Sequence, residues 1–416
     1  MLPSIVTNAW NQVARRNRQV SRILKTEGIS GITERARLVA VHKLKPRHMD
    51  REVANADVLG ADLASPFLPP PYQAKPGEPI SVNFVITPAA AGSGGHTTIF
   101  RMVKYMMREG FKITVYFYDV YGADHKYYAD IVRKDYGVQC EMRDLKQGMD
   151  DADAVVATSW PTAYAVYNCR SAGKRFYFVQ DYEPHFYSVG ANYLLAENTY
   201  RMGFHGITAG RWLAEKLSSD FGMEADYFPF GCDSSIYRRD NEGPRNGVAF
   251  YARASTPRRG VEIGLLALEV FAQNNPQIDI HLYGGNFSGL PFRFINHGLV
   301  TPAQLNDIYN NCFAGLSLSL TNVSLVPQEM LAAGCIPVVN DAEHNRIVLD
   351  NPYVCYAPAT PHALAAAMES VVKASDFQSL SREAAASMTS GSWDQAGAVV
   401  ANVIRRSRTS HPKQVG

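Results

Sequence analysis

No two cysteines in this chain are spaced as CxxC, although six are present: Cys140, Cys169, Cys232, Cys312, Cys335 and Cys355. Scattered singly through 416 residues, they exclude a disulfide frame and a zinc site. They read instead as buried thiols in a reducing compartment. No run of 18 apolar residues occurs, which excludes a membrane-spanning helix. The first residues, "MLPSIVTNAWNQVARRNRQVSRILK", hold no long apolar h-region, so a cytoplasmic protein is expected. An excess of charge is missing too. Lys and Arg number 41 against 39 Asp and Glu, a net +2 that gives no reason to expect nucleic acid as a partner. Any anionic ligand must be met by a local cluster of bases.

What is present is ordinary globular material, 46% hydrophobic and 19% charged, in a chain long enough for two domains. The proline-rich stretch "SPFLPPPYQAKPGEP" (65–79) ends a helical N-terminal extension placed at 1–80. Apolar, β-rich runs then alternate with helix-like segments over 81–230: "ISVNFVIT", "FKITVYFYD", "DAVVATS", "KRFYFVQ" and "FHGITAG". Proline, glycine and charges interrupt the pattern, placing an interdomain linker at 231–246. The alternation resumes over 247–392 with "GVAFYAR", "IDIHLYGG", "FAGLSLSL" and "CIPVVN", and a last helical stretch occupies 393–416. Strand–helix alternation predicts parallel sheets covered by helices on both faces. The fold class is therefore α/β, two doubly wound domains with a ligand cleft between the carboxyl ends of their sheets.

One acidic residue, Glu329, stands in the otherwise apolar run "SLTNVSLVPQEMLAAGCIPVV" (319–339). Pro327 suits the first turn of a helix and Gly334 its end. Ser324 and Leu325 would then present free N–H groups to a diphosphate. Glu329 could accept hydrogen bonds from a sugar hydroxyl beside that phosphate, or merely complement the helix dipole. In "FYARASTPRRG" (250–260), Arg253 ends a strand, and Arg258 and Arg259 sit in the loop that follows. Guanidinium groups there can hold phosphate oxygens bidentately and neutralise a leaving diphosphate without a metal.

In the first domain, "AAAGSGGHTTIF" follows the first strand, but the loop is too long for a dinucleotide fingerprint and lacks the third glycine. Asp119, which ends the next strand, keeps a nicotinamide dehydrogenase among the alternatives. Gly94 and Gly95 more simply let a second substrate approach the backbone, and His96 is either structural or reactive. Asp181, Tyr182, Glu183 and His185 follow a strand and face the expected cleft; Asp and Pro are also ordinary turn formers. Asp151 and Asp153 form a D-x-D, the pattern of metal-dependent sugar transferases, yet they precede a core strand where acids cap turns. No metal is expected. Arg15, Arg16, Arg18, Arg22 and Lys25, with Val13, Val20, Ile23 and Leu24 at helical spacing, mark a surface helix or one resting on an acidic membrane.

Together these stretches resemble the GT-B glycosyltransferases of family 4. The residues that carry the resemblance are Gly94-Gly95, "PFGCD…Y" in the linker, Arg253 with Arg258 or Arg259, and Gly298-Leu299 with Leu305 and Tyr309. The E-x7-E element aligns with Thr321 through Glu329, a threonine replacing the first glutamate. "FVQDYEPHFY" with "YARASTPRRG" is similar to the rhamnosyltransferase branch. The resemblance implies transfer of L-rhamnose from dTDP-β-L-rhamnose to a lipid-linked glycan acceptor in surface polysaccharide or S-layer glycan assembly. It also implies retention of configuration, no cofactor, and a last helix that crosses back to the first domain. Arg253, Arg258, Arg259, Gly284, Gly298, Leu299, Tyr309, Thr321, Ser324, Leu325 and Glu329 would hold the nucleotide sugar. Gly94, Gly95, Asp181, Tyr182 and Glu183 would meet the acceptor; Arg253, Glu329, Asp181 and His96 would act in catalysis. A sugar-nucleotide epimerase of the same architecture and a non-catalytic glycan-binding protein are further alternatives.

Overall fold

The computed structural model describes residues 52–388 and 391–409, together with separate positions between 17 and 40. Residues 1–52 form a unit of their own. Its described positions from 17 to 40 are helical and, Ile32 excepted, exposed. Arg22 and Lys25 are among them. Arg15, Arg16, Arg18, Val13 and Ile23 lie outside the described residues.

The second unit starts at Val53, ahead of the proline-rich stretch. Val53 is buried with Tyr116 and Tyr118 of the first sheet. The helix Asn55–Gly60 is tied down by the Tyr118 hydroxyl, which donates to Asp57 at 2.5 Å, and by Asn168, whose amide donates to Asp57 O at 2.7 Å. The prolines continue this strap, Gly173 N donating to Pro70 O at 3.1 Å.

The first domain holds β1 (Ser81–Ile86), β2 (Lys112–Phe117), β3 (Glu141–Asp144), β4 (Ala154–Ala157), β5 (Lys174–Val179), β6 (His205–Ala209) and β7 (Ala225–Phe228). They form a parallel sheet in the order β3-β2-β1-β4-β5-β6-β7. Central strands such as β1 are buried on both faces because helices cover both, and the one polar side chain enclosed there, Asn83, donates to Asp150 O at 2.7 Å. The second domain holds β8 (Gly247–Tyr251), β9 (Asp279–Tyr283), β10 (Ile295–Gly298), β11 (Cys312–Ser317), β12 (Ile336–Asn340) and β13 (Cys355–Ala357), ordered β10-β9-β8-β11-β12-β13. In each sheet the winding reverses beside the first strand, between β1 and β4 and between β8 and β11. Crevices open at such points, outside the carboxyl ends of the strands.

The last helix, Trp393–Thr409, buries Ala396, Val400, Ala401, Val403 and Ile404 in the first-domain core, against the helix Gly94–Arg108. The chain therefore passes twice between the domains. The two passages run side by side, Cys232 N donating to Gly391 O at 3.0 Å.

Candidate functional site

At the second-domain reversal point two loops are locked together. The loop after β8 carries Arg253 and a short turn, Pro257–Arg259; the loop after β11 runs from Leu318 to Leu325. Leu320 N donates to Arg258 O at 3.0 Å, and the Arg259 Nη1 donates to Ser319 Oγ at 2.7 Å. Ser319 is wholly buried. Its N–H donates to Asn340 Oδ1 at 2.8 Å, and its carbonyl accepts from Asn340 Nδ2 at 2.9 Å and His344 Nε2 at 2.7 Å. This lattice around Ser319, whose N–H, carbonyl and hydroxyl are all paired, makes the loop rigid. Burial pushes Arg259 down from its ordinary value, opposed by the charge of Asp181, but an arginine stays cationic at any working pH. Arg253 is exposed, its Nη1 touching only the Tyr251 hydroxyl, at 3.4 Å. The buried Thr321 Oγ1 has no hydrogen-bond partner among the described residues.

Arg258 and Asn322 reach across to the first domain. Arg258 Nε lies 3.2 Å from Asp181 Oδ2, off the line of the N–H, so the contact is one of charge more than a hydrogen bond. The Arg258 guanidinium also stacks 4.1 Å from the Phe186 ring centroid. Asn322 N donates to Asp181 Oδ1 at 2.8 Å, and its side-chain amide donates to Gln180 O and Ala209 O at 3.0 and 2.9 Å. The carboxyl ends of the two sheets therefore face each other at hydrogen-bonding distance. Asp181 also accepts from Tyr182 N at 2.9 Å and is buried, so it is a clasp between the domains and not the free acceptor-orienting carboxylate expected.

Glu329 lies one turn into the short helix Val326–Ala332. Burial raises its carboxyl to about 7, opposed by the charge of Arg101 and a hydrogen bond from the Tyr237 hydroxyl. Ser324 Oγ stands 3.5 Å from Ser317 Oγ at the mouth of that helix, and Leu325 is its N-cap. Gly284 and Gly298 meet through Gly284 N donating to Gly298 O at 2.7 Å, each with positive φ (92° and 64°). Leu299 beside them is 90% exposed. Tyr309, expected to touch the nucleotide, is instead core: fully buried, its hydroxyl 2.7 Å from that of Tyr283.

The first-domain expectations fare unevenly. Gly94 and Gly95 are exposed at the start of their helix, and a side chain added at Gly94 would meet nothing within 4 Å. His96, beside them, has both ring nitrogens engaged. Nδ1 lies 3.0 Å from Ser93 Oγ and Nε2 3.3 Å from Thr87 O, and burial holds its value down. Placed so, it braces the loop, the structural one of its two readings. Glu183 is buried and accepts from Trp160 N at 2.5 Å, serving the start of the helix Trp160–Asn168 and not an acceptor. Tyr182 is buried among Tyr200 and Phe221.

Asp119 spends its carboxylate on Tyr121 N and Ala123 N at 2.9 and 2.7 Å, a turn and not a ribose grip. Asp151 accepts from Ala172 N at 2.7 Å and Asp153 from Ser81 N at 2.8 Å, long-range ties to other segments of the first domain and not caps of their own turn. Among the described residues no three His, Cys, Asp or Glu gather as metal ligands.

Sequence reasoning missed Asn322 and Arg101, and met Tyr237 only as the last residue of the linker motif "PFGCD…Y". For Arg101 a signal existed, the one charged residue of the run "TTIFRMV", and for Asn322 a weaker one, a polar residue in the mixed run "SLTNVSLV". Their partners, far away in sequence, left none.

Two doubly wound domains facing each other across a cleft, with a last helix returning to the first, make this chain a GT-B fold. Two family models match it: WsaF, N-terminal domain, over residues 141–209, and WsaF, C-terminal domain, over residues 246–369. In both domains the chain resembles WsaF. It is also 33% identical over 253 residues to the O-antigen biosynthesis protein RfbC of Myxococcus xanthus, a match covering 58% of this chain and 20% of that protein. The chain thus spans about a fifth of that curated relative.

Solved structures carry the same fold. A glycosyltransferase from Rickettsia africae superimposes with a TM-score of 0.59 at 11% identity, over 80% of this chain and 100% of that one. Anabaena Alr3699/HepE, crystallised with UDP and glucose, gives 0.59 at 14%, over 79% and 100%.

Proposed function

We propose that the protein is a glycosyltransferase that moves L-rhamnose from dTDP-β-L-rhamnose to a glycan acceptor during assembly of a surface polysaccharide, with retention of configuration. The observation that carries this reading is the second-domain reversal point, where three arginines and the helix bearing Glu329 converge. The resemblance of "FVQDYEPHFY" and "YARASTPRRG" to the rhamnosyltransferase branch supports rhamnose, and the O-antigen protein and the UDP-bound neighbour support a nucleotide-sugar enzyme of polysaccharide assembly. On this reading Arg253, Arg258 and Arg259 stabilise the charge that develops on the leaving diphosphate, the electrostatic contribution expected to dominate. Glu329 grips the nucleotide ribose. Thr321, with its unpartnered hydroxyl, faces the donor sugar and gives a 6-deoxyhexose the slight polar contact it needs. The acceptor hydroxyl attacks the anomeric carbon from the side that the diphosphate leaves, and a phosphate oxygen takes its proton. The acceptor enters over Gly94 and Gly95, and a lipid carrier would place the enzyme at a membrane face.

The test is a panel of sugar nucleotides offered with and without a rhamnose-containing acceptor, with and without EDTA. Thermal stabilisation should favour dTDP-rhamnose, since bound ligand stabilises as ln(1 + [L]/Kd). Nucleotide should be released only when acceptor is present, and EDTA should leave the rate unchanged. Release without acceptor would favour an epimerase or hydrolase, and loss with EDTA restored by Mg²⁺ or Mn²⁺ would overturn the metal-free mechanism. Binding of dTDP-rhamnose with no turnover would leave a glycan-binding protein.

A further inference from the structure

Arg101 projects from the first-domain helix Gly94–Arg108 into the joint where the chain passes twice between the domains. Its guanidinium lies 4.3 Å from the ring centroid of Trp393, the first residue of the returning helix. Trp393 packs on the other passage so closely that a Cβ at Gly231 would stand 2.8 Å from the indole. The next residue, Cys232, holds its Sγ 3.9 Å from Gln328 O, the neighbour of Glu329 in the second domain. Arg101 of the first domain, through Trp393, and Gln328 of the second, through Cys232, therefore meet the same joint, one residue before Glu329.

We propose that Arg101 is a positioning residue for donor binding: held on Trp393, it supplies from the first domain the counter-charge for the second domain's Glu329. The groups that act on Glu329 are Arg101 from the helix, Cys232 and Tyr237 from the linker, and Tyr283 and Tyr309 from the second-domain core. The tyrosines and the cysteine, whose own values burial raises, are neutral, so the cation opposing burial of the carboxylate is Arg101. Asp233 in turn supports the charge of Arg101. The consequence is chemical. An ionised carboxylate accepts hydrogen bonds on both oxygens, whereas its neutral acid must donate from one of them. Without Arg101 a buried carboxyl gains a proton at higher pH. The grip on the donor then depends on the first domain standing in place.

The inference rests on the reading of Glu329 as a nucleotide grip, and the experiment separates the two. Calorimetric affinities for dTDP and UDP are measured from pH 5.5 to 9.5 on the full chain and on Arg101→Lys, Arg101→Met and Glu329→Gln. The unaltered protein should bind more tightly as pH rises through about 7, where Glu329 ionises. In Arg101→Met that rise should move up by at least about one pH unit, a roughly threefold weaker affinity near pH 7.5 that closes by pH 9.5. Arg101→Lys should keep the original midpoint, and Glu329→Gln should show no rise. A rise in Arg101→Met at the original midpoint, or an affinity lost equally at every pH, overturns the role of Arg101 while a flat Glu329→Gln leaves the nucleotide grip standing. A rise that persists in Glu329→Gln, or binding of neither nucleotide by the unaltered protein, overturns the grip and the inference with it.

Discussion

The N–H of Asn322 donates to the Asp181 carboxylate at 2.8 Å, joining the loop after β11 of one domain to the end of β5 of the other. The Asn322 side chain adds two bonds to first-domain carbonyls, and it is almost wholly buried. Replacing Asn322 by alanine leaves Gln180 O and Ala209 O facing each other without a donor. Each buried, unsatisfied carbonyl costs about 1–3 kcal/mol. The domains should therefore separate more readily, seen as a larger radius of gyration by small-angle scattering, a lower urea midpoint and an unfolding free energy smaller by about 2–6 kcal/mol. An unchanged radius and midpoint would show that the clasp contributes nothing to closure.

Glu329 makes stability depend on pH in an unusual direction. Its carboxyl is raised by burial from 4.5 to about 7, so between those values the folded chain holds a proton that the unfolded chain has released. Stability must then fall as pH rises through this window. Glu329→Gln removes the charge that burial penalises. It should be more stable than the unaltered protein above pH 7, by up to about 3 kcal/mol, with the advantage fading towards pH 4.5. Urea unfolding at pH 5 and pH 8 measures it. A variant less stable at pH 8 would mean that Arg101 and Tyr237 more than offset the burial.

Glycine 284 offers a separate test of the nucleotide side. Its φ of 92° disfavours any side chain, and an added Cβ would stand 2.7 Å from the Tyr251 ring. Gly289 has φ of 69° with open space around it. Gly289→Ala should cost only the backbone strain, about 1–2 kcal/mol, and Gly284→Ala about 2–4 kcal/mol because overpacking adds to it. Thermal melts of the two variants decide. Equal losses would show that the Tyr251 ring yields freely.

Much of the fold was legible because periodicity is local. Apolar β-rich runs between helix-like segments predict a parallel sheet without any knowledge of pairing, and the strand-end arginines could be placed from the strand alone. What failed were side chains whose partners lie far off in sequence. Asp181 and Glu183 follow a strand end, as a cleft acid would, but their partners Asn322 and Trp160 are 141 and 23 residues away. Tyr309 fits a motif spacing, and the same i, i+4 spacing from Leu305 marks the buried stripe of the helix Pro302–Asn311. Prolines 69–71 were read as a joint because proline breaks helices and strands. An extended proline segment still offers carbonyls, and Pro70 accepts from Gly173 on the first domain.

The three arginines of the second-domain loop should separate by role when altered singly. Arg253 is exposed and weakly held, so its guanidinium is free to turn to a diphosphate at no cost to the fold. Arg253→Ala should weaken dTDP binding by about 1.5–3 kcal/mol, the range for hydrogen bonds to charged groups, and leave thymidine binding and the melting temperature unchanged. Arg259 is bound to Ser319 and enclosed, and Ser319 is fixed by Asn340 and His344. Arg259→Lys keeps a positive charge but not the planar fork. It should therefore weaken dTDP binding and also lower the melting temperature, because the loop loses its tie to Ser319. Calorimetry with dTDP and thymidine, beside thermal melts, gives both readouts. Equal losses of dTDP and thymidine for Arg253→Ala would make Arg253 a structural residue. An Arg259→Lys variant that melts normally would show that the lattice around Ser319 holds without it.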